Sequence, residues 1–197
     1  MSQSTTLPLP RGLLLDMDGT ITEPMLDFPQ IKREMGIGTQ PILEAMTRMS
    51  PTNRATAEAI LARHEQHAAE NSRLSEGCVA FLQWIRDAGL KSALVTRNTR
   101  ASVTTVLEKH RLSFDALITR DDAPYKPDPA PLHLACQRLH LQPDEVWMIG
   151  DGQYDIEAGD RAGIKTIWIS HGQSRPSTTS PWREVRNLVE LVRSLKS

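Results

Sequence analysis

The stretch LLLDMDGT, residues Leu13–Thr20, joins an apolar run to two carboxylates that are two residues apart. A continuous apolar run that ends at a charged residue is typical of a strand buried on both faces of a parallel sheet. Carboxylates that follow such a strand are costly to bury unless a metal or another cation is near them. The stretch therefore predicts a buried first strand, Gly12–Leu15, with a charged ligand site at its end.

Further apolar runs of the same kind predict four more strands, at Ser92–Thr96, Ala116–Thr119, Val146–Ile149 and Thr166–Ser170. Apolar residues at helical spacing lie between them, around residues 81–85, 103–107 and 132–139. Ser180-Pro181 predicts the N-cap and first turn of a last helix that continues through Val185, Leu188, Val189 and Val192. Strands that alternate with helices indicate an α/β fold with a doubly wound parallel sheet.

Residues 21–75 interrupt this alternation, because they contain no convincing strand. Helical spacing of apolar residues predicts one helix near residues 42–49 and a longer one that begins after Ser50-Pro51-Thr52. We therefore expect a catalytic core at 1–20 and 76–197, with a small α-helical cap at 21–75 inserted after the first strand. Ligands of open α/β sheets bind at the strand ends, so this cap is expected to act as a lid.

The composition excludes several classes of function. The 197 residues carry a net charge of −1, which gives no reason to expect a nucleic-acid or membrane partner. The two cysteines, Cys78 and Cys136, suggest neither a disulfide framework nor a zinc site. The opening MSQSTTLPLPRG does not have the pattern of a secretory signal, so a cytoplasmic protein, monomeric or dimeric, is the expectation.

Three later fragments add further polar residues at strand ends or in a stiff loop: LVT at Leu94–Thr96, YKPDP at Tyr125–Pro129 and MIGDGQYD at Met148–Asp155. Each has an ordinary explanation by itself, since Thr96 could cap a helix and most lysines, like Lys126, are solvated. Together they bring carboxylates, a lysine and a hydroxyl to one edge of a sheet. That combination predicts a site for a divalent metal and a phosphoryl group.

Two other motif readings fail on spacing. An EF-hand that begins at Asp16 would need glycine at position 21 and glutamate at position 27, where the chain has Ile21 and Asp27. A dinucleotide fingerprint at Gly150 would need glycine in place of Asp155.

In order and context, the four fragments resemble the four motifs of the haloacid dehalogenase superfamily, over residues 12–20 and 76–170. Residues 150–163 are especially similar to the phosphoglycolate phosphatase and β-phosphoglucomutase branch. The resemblance implies a Rossmann-like core and a Mg²⁺-dependent phosphatase. It also argues against a dehalogenase, because dehalogenases lack an acid at the position of Asp18 and a halide leaving group needs no proton.

The resemblance assigns roles to the acids. Asp16 would be the nucleophile that forms an aspartyl-phosphate. Asp18 would protonate the leaving oxygen and then take a proton from the hydrolytic water. The carboxylates of Asp16 and Asp151, with the backbone carbonyl of Asp18, would hold Mg²⁺. Asp155 would orient Lys126 or a metal-bound water from just outside the metal's own ligands.

The resemblance also assigns the phosphate contacts. Thr96, Gly19 and nearby backbone N–H groups would bind phosphoryl oxygens, and Lys126 would neutralise charge on the phosphate and the nucleophile. Arg97 replaces the asparagine that often follows the motif threonine. It is a candidate substrate contact, and the alternative is a solvated side chain.

The cap leaves the substrate open. Its candidate polar contacts are Lys32, Arg33, Arg48, Arg54, Arg63 and His64. The leading interpretation is a phosphatase of a small phosphorylated metabolite, with a partly open site that accepts several such esters. A phosphomutase and a non-catalytic binding protein on the same fold are the alternatives. Lys32, the only cap lysine, also leaves a phosphonatase possible.

Overall fold

A computed structural model of the protein describes residues 9–174 and 178–196. These residues form one parallel sheet of six strands: β1 (Gly12–Leu15), β2 (Lys91–Val95), β3 (Ala116–Ile118), β4 (Val146–Gly150), β5 (Lys165–Ile169) and β6 (Arg183–Val185). The strand order is β3-β2-β1-β4-β5-β6. Strands β2 and β3 thus extend the sheet from one edge of β1. The chain then returns to the other edge of β1, where β4, β5 and β6 extend the sheet in the opposite direction. The crevice between β1 and β4 is the switch point at which α/β sheets bind ligands.

Helices cover both faces of the sheet: α4 (Cys78–Asp87), α5 (Arg100–His110), α6 (Ala130–Leu139), α7 (Gln153–Ala162) and α8 (Leu188–Lys196). The side chains of α4, α5 and α8 form one apolar cluster with Leu13 and Leu15 of β1. The side chains of α6 and α7 form a second cluster with Leu14. All three leucines are fully buried, because successive strand residues point to opposite faces and both faces are covered. The predicted α/β fold with a doubly wound sheet is confirmed.

Three further helices lie between β1 and α4: α1 (Phe28–Met35), α2 (Ile42–Met46) and α3 (Pro51–Asn71). They share a small apolar cluster of their own, which includes Ile31, Ile42 and Leu61. The two chain segments that join this insertion, residues 21–75, to the sheet run side by side, with Glu23 N donating to Arg73 O at 2.9 Å. The domain limits at 20 and 75 stay a prediction.

The five expected strands are present, with ends within one residue of those predicted. The start of the last helix at Ser180-Pro181 is wrong. Val185 ends β6, which extends the sheet beside β5, and the helix begins only at Leu188. Its cap is Asn187, whose side chain accepts a hydrogen bond from Glu190 N at 2.9 Å. A strand of three residues is too short to show an alternating pattern, so it was missed.

Helix α1 was also missed by the sequence analysis. Asp27 caps it by accepting from Gln30 N at 2.9 Å, and Pro29 lies in its first turn. Ile31 is its one buried residue, and Phe28, Ile31 and Met35 are at helical spacing over only eight residues, which is too short a pattern to predict a helix. Among the described residues, no helix is both long and apolar enough to cross a lipid bilayer.

Asp122 is a partly buried carboxylate that ties the end of β3 to two neighbouring helices. It accepts hydrogen bonds from Thr119 N at 2.9 Å and Thr119 Oγ1 at 2.7 Å, and it is ion-paired with Arg138 and Arg100. Burial disfavours its charge, but these donors outweigh burial and hold the pKa of Asp122 well below its usual range.

We expect Asp122→Asn to lower the free energy of unfolding at pH 7 by about 1–3 kcal/mol, because a charged hydrogen-bond acceptor is lost. The pKa is lower in the folded state than in the unfolded state, so the stabilisation is complete above the unfolded value of 3.8. It is lost as the pH falls through the folded value. Urea unfolding of both proteins at several pH values should show the difference shrinking below about pH 4. Asp160→Asn, at an exposed position, is the control, and a difference that grows in acid would contradict the account.

Candidate active site

The carboxyl ends of three neighbouring strands bring the motif residues together. Asp16 directly follows β1, Thr96 follows β2 and Asp151 follows β4. The backbone continues the sheet pattern at the first two positions, with Asp16 N donating to Ile149 O at 2.9 Å and Thr96 N to Ile118 O at 3.0 Å. These side chains are therefore held by the edge of a rigid sheet.

Lys126 lies at the centre of the site with its ammonium group buried. Its side chain is 2% exposed, and Nζ donates to Asp16 Oδ1 at 2.7 Å, to Asp155 Oδ1 at 2.6 Å and to Val95 O at 2.7 Å. Burial disfavours the charged amine, but the two carboxylates outweigh it and raise the pKa of Lys126. The ammonium group therefore stays charged, with all three N–H bonds used. The contact with Asp16 is the one that the family resemblance predicts for Lys126.

Three acids form a cluster in which one oxygen of each residue lies within 4.8 Å of the others: Asp16, Asp151 and Asp155. Burial, with repulsion from Asp155 and Asp18, raises the pKa of Asp16 to about 7, although Lys126 opposes the shift. Burial and the neighbouring acids raise the pKa of Asp151 to about 8. A divalent cation between these groups would relieve both effects, and Mg²⁺ prefers carboxylate oxygens. The donor set fits such an ion.

Glycines make the close approach of these acids possible. A Cβ atom at Gly19, where φ is +75°, would lie 2.0 Å from Asp151 Oδ2. A Cβ atom at Gly150 would lie 2.2 Å from Asp155 Cγ. Asp155 also accepts from Gly152 N at 3.0 Å, which fixes it in the first turn of α7. Gly19 and Gly150 are therefore packing requirements of the acid cluster.

Asp18 has a partner that the sequence analysis missed. Asn98 is buried, and its Nδ2 donates to Asp18 Oδ2 at 2.6 Å. Burial raises the pKa of Asp18, and the bond from Asn98 opposes the shift. Asn98 is not the cap of α5, because that cap is Thr99, which accepts from Ser102 N. Its position two residues after the motif threonine was the one available signal.

Arg97 is not the solvated side chain offered as the alternative. Its guanidinium lies 4.0 Å from the ring centroid of Tyr154 and 4.9 Å from that of Tyr125. It donates to both oxygens of Glu44, at 2.9 and 3.1 Å, and to Lys126 O at 2.6 Å. Glu44 belongs to α2, so this pair joins the insertion to the core. The substrate contact of Arg97 stays a prediction.

A second buried ion pair across the same boundary was also missed. Glu65 of α3 is 3% exposed and pairs with Arg120, which follows β3. Arg120 also donates to Arg97 O at 3.1 Å. Burial raises the pKa of Glu65, and Arg120 opposes the shift. Glu65 lies four residues after Leu61 and four before Ala69, on the buried face of α3, and this spacing was the available sequence signal.

A cavity of about 730 Å³ lies between the strand ends and the insertion. Its lining includes the site residues Asp16, Asp18, Thr96, Lys126 and Asp151, together with Arg97 and Asp155. Of the six polar cap candidates, Lys32 lines this cavity. Arg63 and His64 lie against Glu34 instead, and Arg54 pairs with Glu58 at 2.9 Å.

Two loops of the site are held from β5 and the turn after it. Trp168 Nε1 donates to Asp151 O at 2.8 Å, and His171 Nε2 lies 2.6 Å from Gly19 O. The backbones of the two acid-bearing loops are thus supported by the same strand end.

Comparison with known proteins agrees with this geometry. The family model of haloacid dehalogenase-like hydrolases matches residues 24–169. A haloacid dehalogenase-like hydrolase domain-containing protein of Arabidopsis thaliana is 31% identical over 173 residues, which are 81% of this chain and 70% of that protein. The N-acetylmuramic acid 6-phosphate phosphatase of Pseudomonas aeruginosa is 31% identical over 192 residues, 84% of each chain.

A solved structure from Lactobacillus plantarum, named as a candidate phosphoglycolate phosphatase, has the same fold. Its TM-score is 0.76 at 18% identity, over 95% of this chain and 100% of that one. The architecture is an α/β fold with an acid cluster at the strand ends, where ligands of such sheets bind. The chain belongs to the haloacid dehalogenase-like hydrolase family, and it is a phosphatase of that family, a phosphoric monoester hydrolase.

We expect Asn98→Ala to lower kcat about 10- to 100-fold, the usual cost of losing a hydrogen bond that orients a catalytic group. The reason is that Asp18 loses the donor that fixes its carboxylate. Orthophosphate release from a small phosphate ester measures the effect. Asn71→Ala, at an exposed amide near the end of α3, is the matched control. An unchanged kcat in a folded Asn98 variant would show that this bond does not orient Asp18 in the reaction.

Proposed function

We propose that the protein is a Mg²⁺-dependent phosphatase that hydrolyses a small organic phosphate monoester through an aspartyl-phosphate on Asp16. One observation carries the proposal: Lys126 Nζ lies 2.7 Å from Asp16, within a cluster that also contains Asp151 and Asp155. The arrangement supplies a nucleophile, a fixed positive charge and a set of oxygen ligands at one point.

In the first step, a carboxylate oxygen of Asp16 attacks phosphorus and the bond from phosphorus to the ester oxygen breaks. Asp18 gives its proton to the departing alkoxide, which leaves as an alcohol. In the second step, Asp18 takes a proton from water while the water oxygen attacks phosphorus. The acyl-phosphate bond breaks, and Asp16 and orthophosphate are released.

Lys126 would contribute fixed charge throughout. Its contact with Asp16 places an ammonium group beside the oxygens that carry negative charge during both steps. Its second carboxylate partner, Asp155, prevents the amine from moving away. Thr96 and the backbone N–H groups that follow it, with Gly19, would bind the phosphoryl oxygens.

Mg²⁺ would be held by the carboxylates of Asp16 and Asp151 and by the backbone carbonyl of Asp18. When bound, it supplies the positive charge that lets an anionic carboxylate approach an anionic phosphate. Of the two roles expected of Asp155, the hydrogen bond that it accepts from Lys126 supports that of orienting the amine.

We expect orthophosphate release from a panel of phosphorylated metabolites with Mg²⁺, and none with EDTA. The panel includes N-acetylmuramic acid 6-phosphate, because a relative is named for that substrate. Asp16→Asn should reduce the rate about 10⁴-fold or more, as loss of a catalytic nucleophile does. Asp160→Asn, at an exposed position, is the control.

The same experiment separates the alternatives. An isomerised sugar phosphate in place of orthophosphate would identify a phosphomutase. If no member of the panel released orthophosphate and Asp16→Asn changed nothing, the protein would be a non-catalytic binding protein on this fold.

We expect Asp151→Asn to raise the Mg²⁺ concentration needed for half-maximal activity by about tenfold or more, because one anionic oxygen ligand becomes a neutral amide. A Mg²⁺ titration of the initial rate measures the shift. Asp144→Asn, at an exposed position just before β4 and so at the opposite end of that strand from Asp151, is the control. An Asp151 variant with reduced kcat but the same Mg²⁺ dependence would contradict the assignment of Asp151 as a ligand.

A further inference from the structure

The cavity beside the acid cluster is much larger than a phosphoryl group needs. Its volume of about 730 Å³ is in the range of pockets that enclose drug-sized ligands, roughly 300–1,000 Å³. The acids and Lys126 occupy one end, and the insertion forms much of the remaining wall. If the proposed function holds, this remaining space receives the alcohol part of the substrate. The residues that line the space therefore indicate which kind of alcohol fits.

The insertion side of the cavity is apolar. Its lining there includes Pro24, Met25, Phe28, Ile42 and Leu61, with Trp168 contributed by β5. Four large hydrophobic residues are exposed in the described part of the chain, and two of them are Met25 at 40% and Phe28 at 50%. Both residues line the cavity, so a ligand can cover their apolar surface. Each Å² of apolar surface removed from water makes binding more favourable by about 25 cal/mol.

The arginines of the cavity are already neutralised. Arg97 is paired with Glu44, and Arg120 with Glu65. Lys126 is likewise paired with two carboxylates. Lys32 has no carboxylate partner among the described ion pairs. It is half-buried, and its amine donates to Thr39 O at 3.3 Å in an exposed contact. Of the lysine and arginine side chains that line the cavity in the described residues, Lys32 is thus the one without a carboxylate partner, and it belongs to the insertion.

The acids that line the cavity also disfavour a negatively charged group on the substrate. Asp18 and Glu65 both line the cavity; Glu65 is 3% exposed and Asp18 is half-buried. A carboxylate on the substrate would be desolvated next to them, and the two arginines of the cavity are already paired, so its burial is unfavourable. Neutral groups do not meet this cost. Among the described hydrogen bonds, Arg120 donates through Nη1, so Nε and Nη2 are left for a neutral acceptor.

We infer that the substrate of this site is a phosphate monoester of a neutral alcohol with an apolar body of ring size, and that carboxylate-bearing phosphate esters are poor substrates. The inference rests on the proposed function and deepens it. The apolar wall favours the carbon body, and the paired arginines exclude a second anionic group.

Four synthetic esters test the inference on the unmodified enzyme: ethyl, benzyl, 4-methylbenzyl and 4-carboxybenzyl phosphate. All four are esters of primary alcohols, so differences in kcat/KM report contacts in the cavity more than the ease of leaving. We expect benzyl phosphate to exceed ethyl phosphate about tenfold or more, on the scale of apolar pocket discrimination. We expect 4-methylbenzyl phosphate to exceed 4-carboxybenzyl phosphate by about the same factor or more.

Two variants locate the cause of each preference. Phe28→Ala should reduce the ratio of benzyl to ethyl phosphate several-fold. Glu65→Gln should leave the charge of Arg120 uncompensated and shift the ratio of the 4-methylbenzyl to the 4-carboxybenzyl ester toward the carboxylate about tenfold, as expected for a single buried charge contact. Glu58→Gln on the exposed face of the same helix, and Val79→Ala at an exposed apolar residue, should leave both ratios unchanged.

The outcomes are distinct. Equal or better rates with ethyl phosphate, or a preference for the 4-carboxybenzyl ester, would overturn the inference while the phosphatase function stands. If none of the four esters nor any metabolite released orthophosphate, the proposed function would fail with it. Should Glu65→Gln fail to fold, the ratios of the unmodified enzyme and of Phe28→Ala still decide the question.

Discussion

The site depends on one buried ammonium group. Lys126 joins Asp16 at the end of β1, the backbone at the end of β2 and Asp155 in the first turn of α7. Breaking such a buried contact leaves uncompensated charges and typically costs about 3–5 kcal/mol. The clustered acids can lie so close together because this positive charge offsets their repulsion. Pro127 and Pro129, which follow Lys126, restrict the backbone of its loop. The proposed nucleophile, Asp16, is therefore held beside the acids that would bind Mg²⁺.

Two ion pairs hold the insertion in position against the sheet. Glu44 and Glu65 come from α2 and α3, and their partners, Arg97 and Arg120, come from loops after β2 and β3. Each pair holds a helix of the insertion to the sheet and removes a free positive charge from the cavity. The ion pairs that position the insertion thus also determine the charge of the cavity wall that it forms. Apolar contact is then the main attraction for the leaving group of the substrate.

Much of the fold could be predicted because a doubly covered parallel strand has a distinctive sequence. Gly12–Leu15 is apolar throughout since Leu13 and Leu15 pack on one face and Leu14 on the other. The pattern failed where burial is slight. Helix α1 buries one residue, and β6 has three residues at the edge of the sheet, so neither repeats long enough to be recognised. The helix start predicted at Ser180-Pro181 placed Val185 in a helix for the same reason.

The sequence by itself indicated which residues could form the site: four short motifs follow strands or lie in a stiff loop, and parallel strands must bring those ends to one edge of the sheet. It could not identify the partners. Asn98 reaches Asp18 across 80 residues of chain, Arg97 reaches Glu44 across 53 and Arg120 reaches Glu65 across 55. Only packing decides which polar side chains lose water and which of them come together. The tertiary structure therefore decided the shape, polarity and charge balance of the pocket, while the acids proposed to be catalytic were already evident from the motifs.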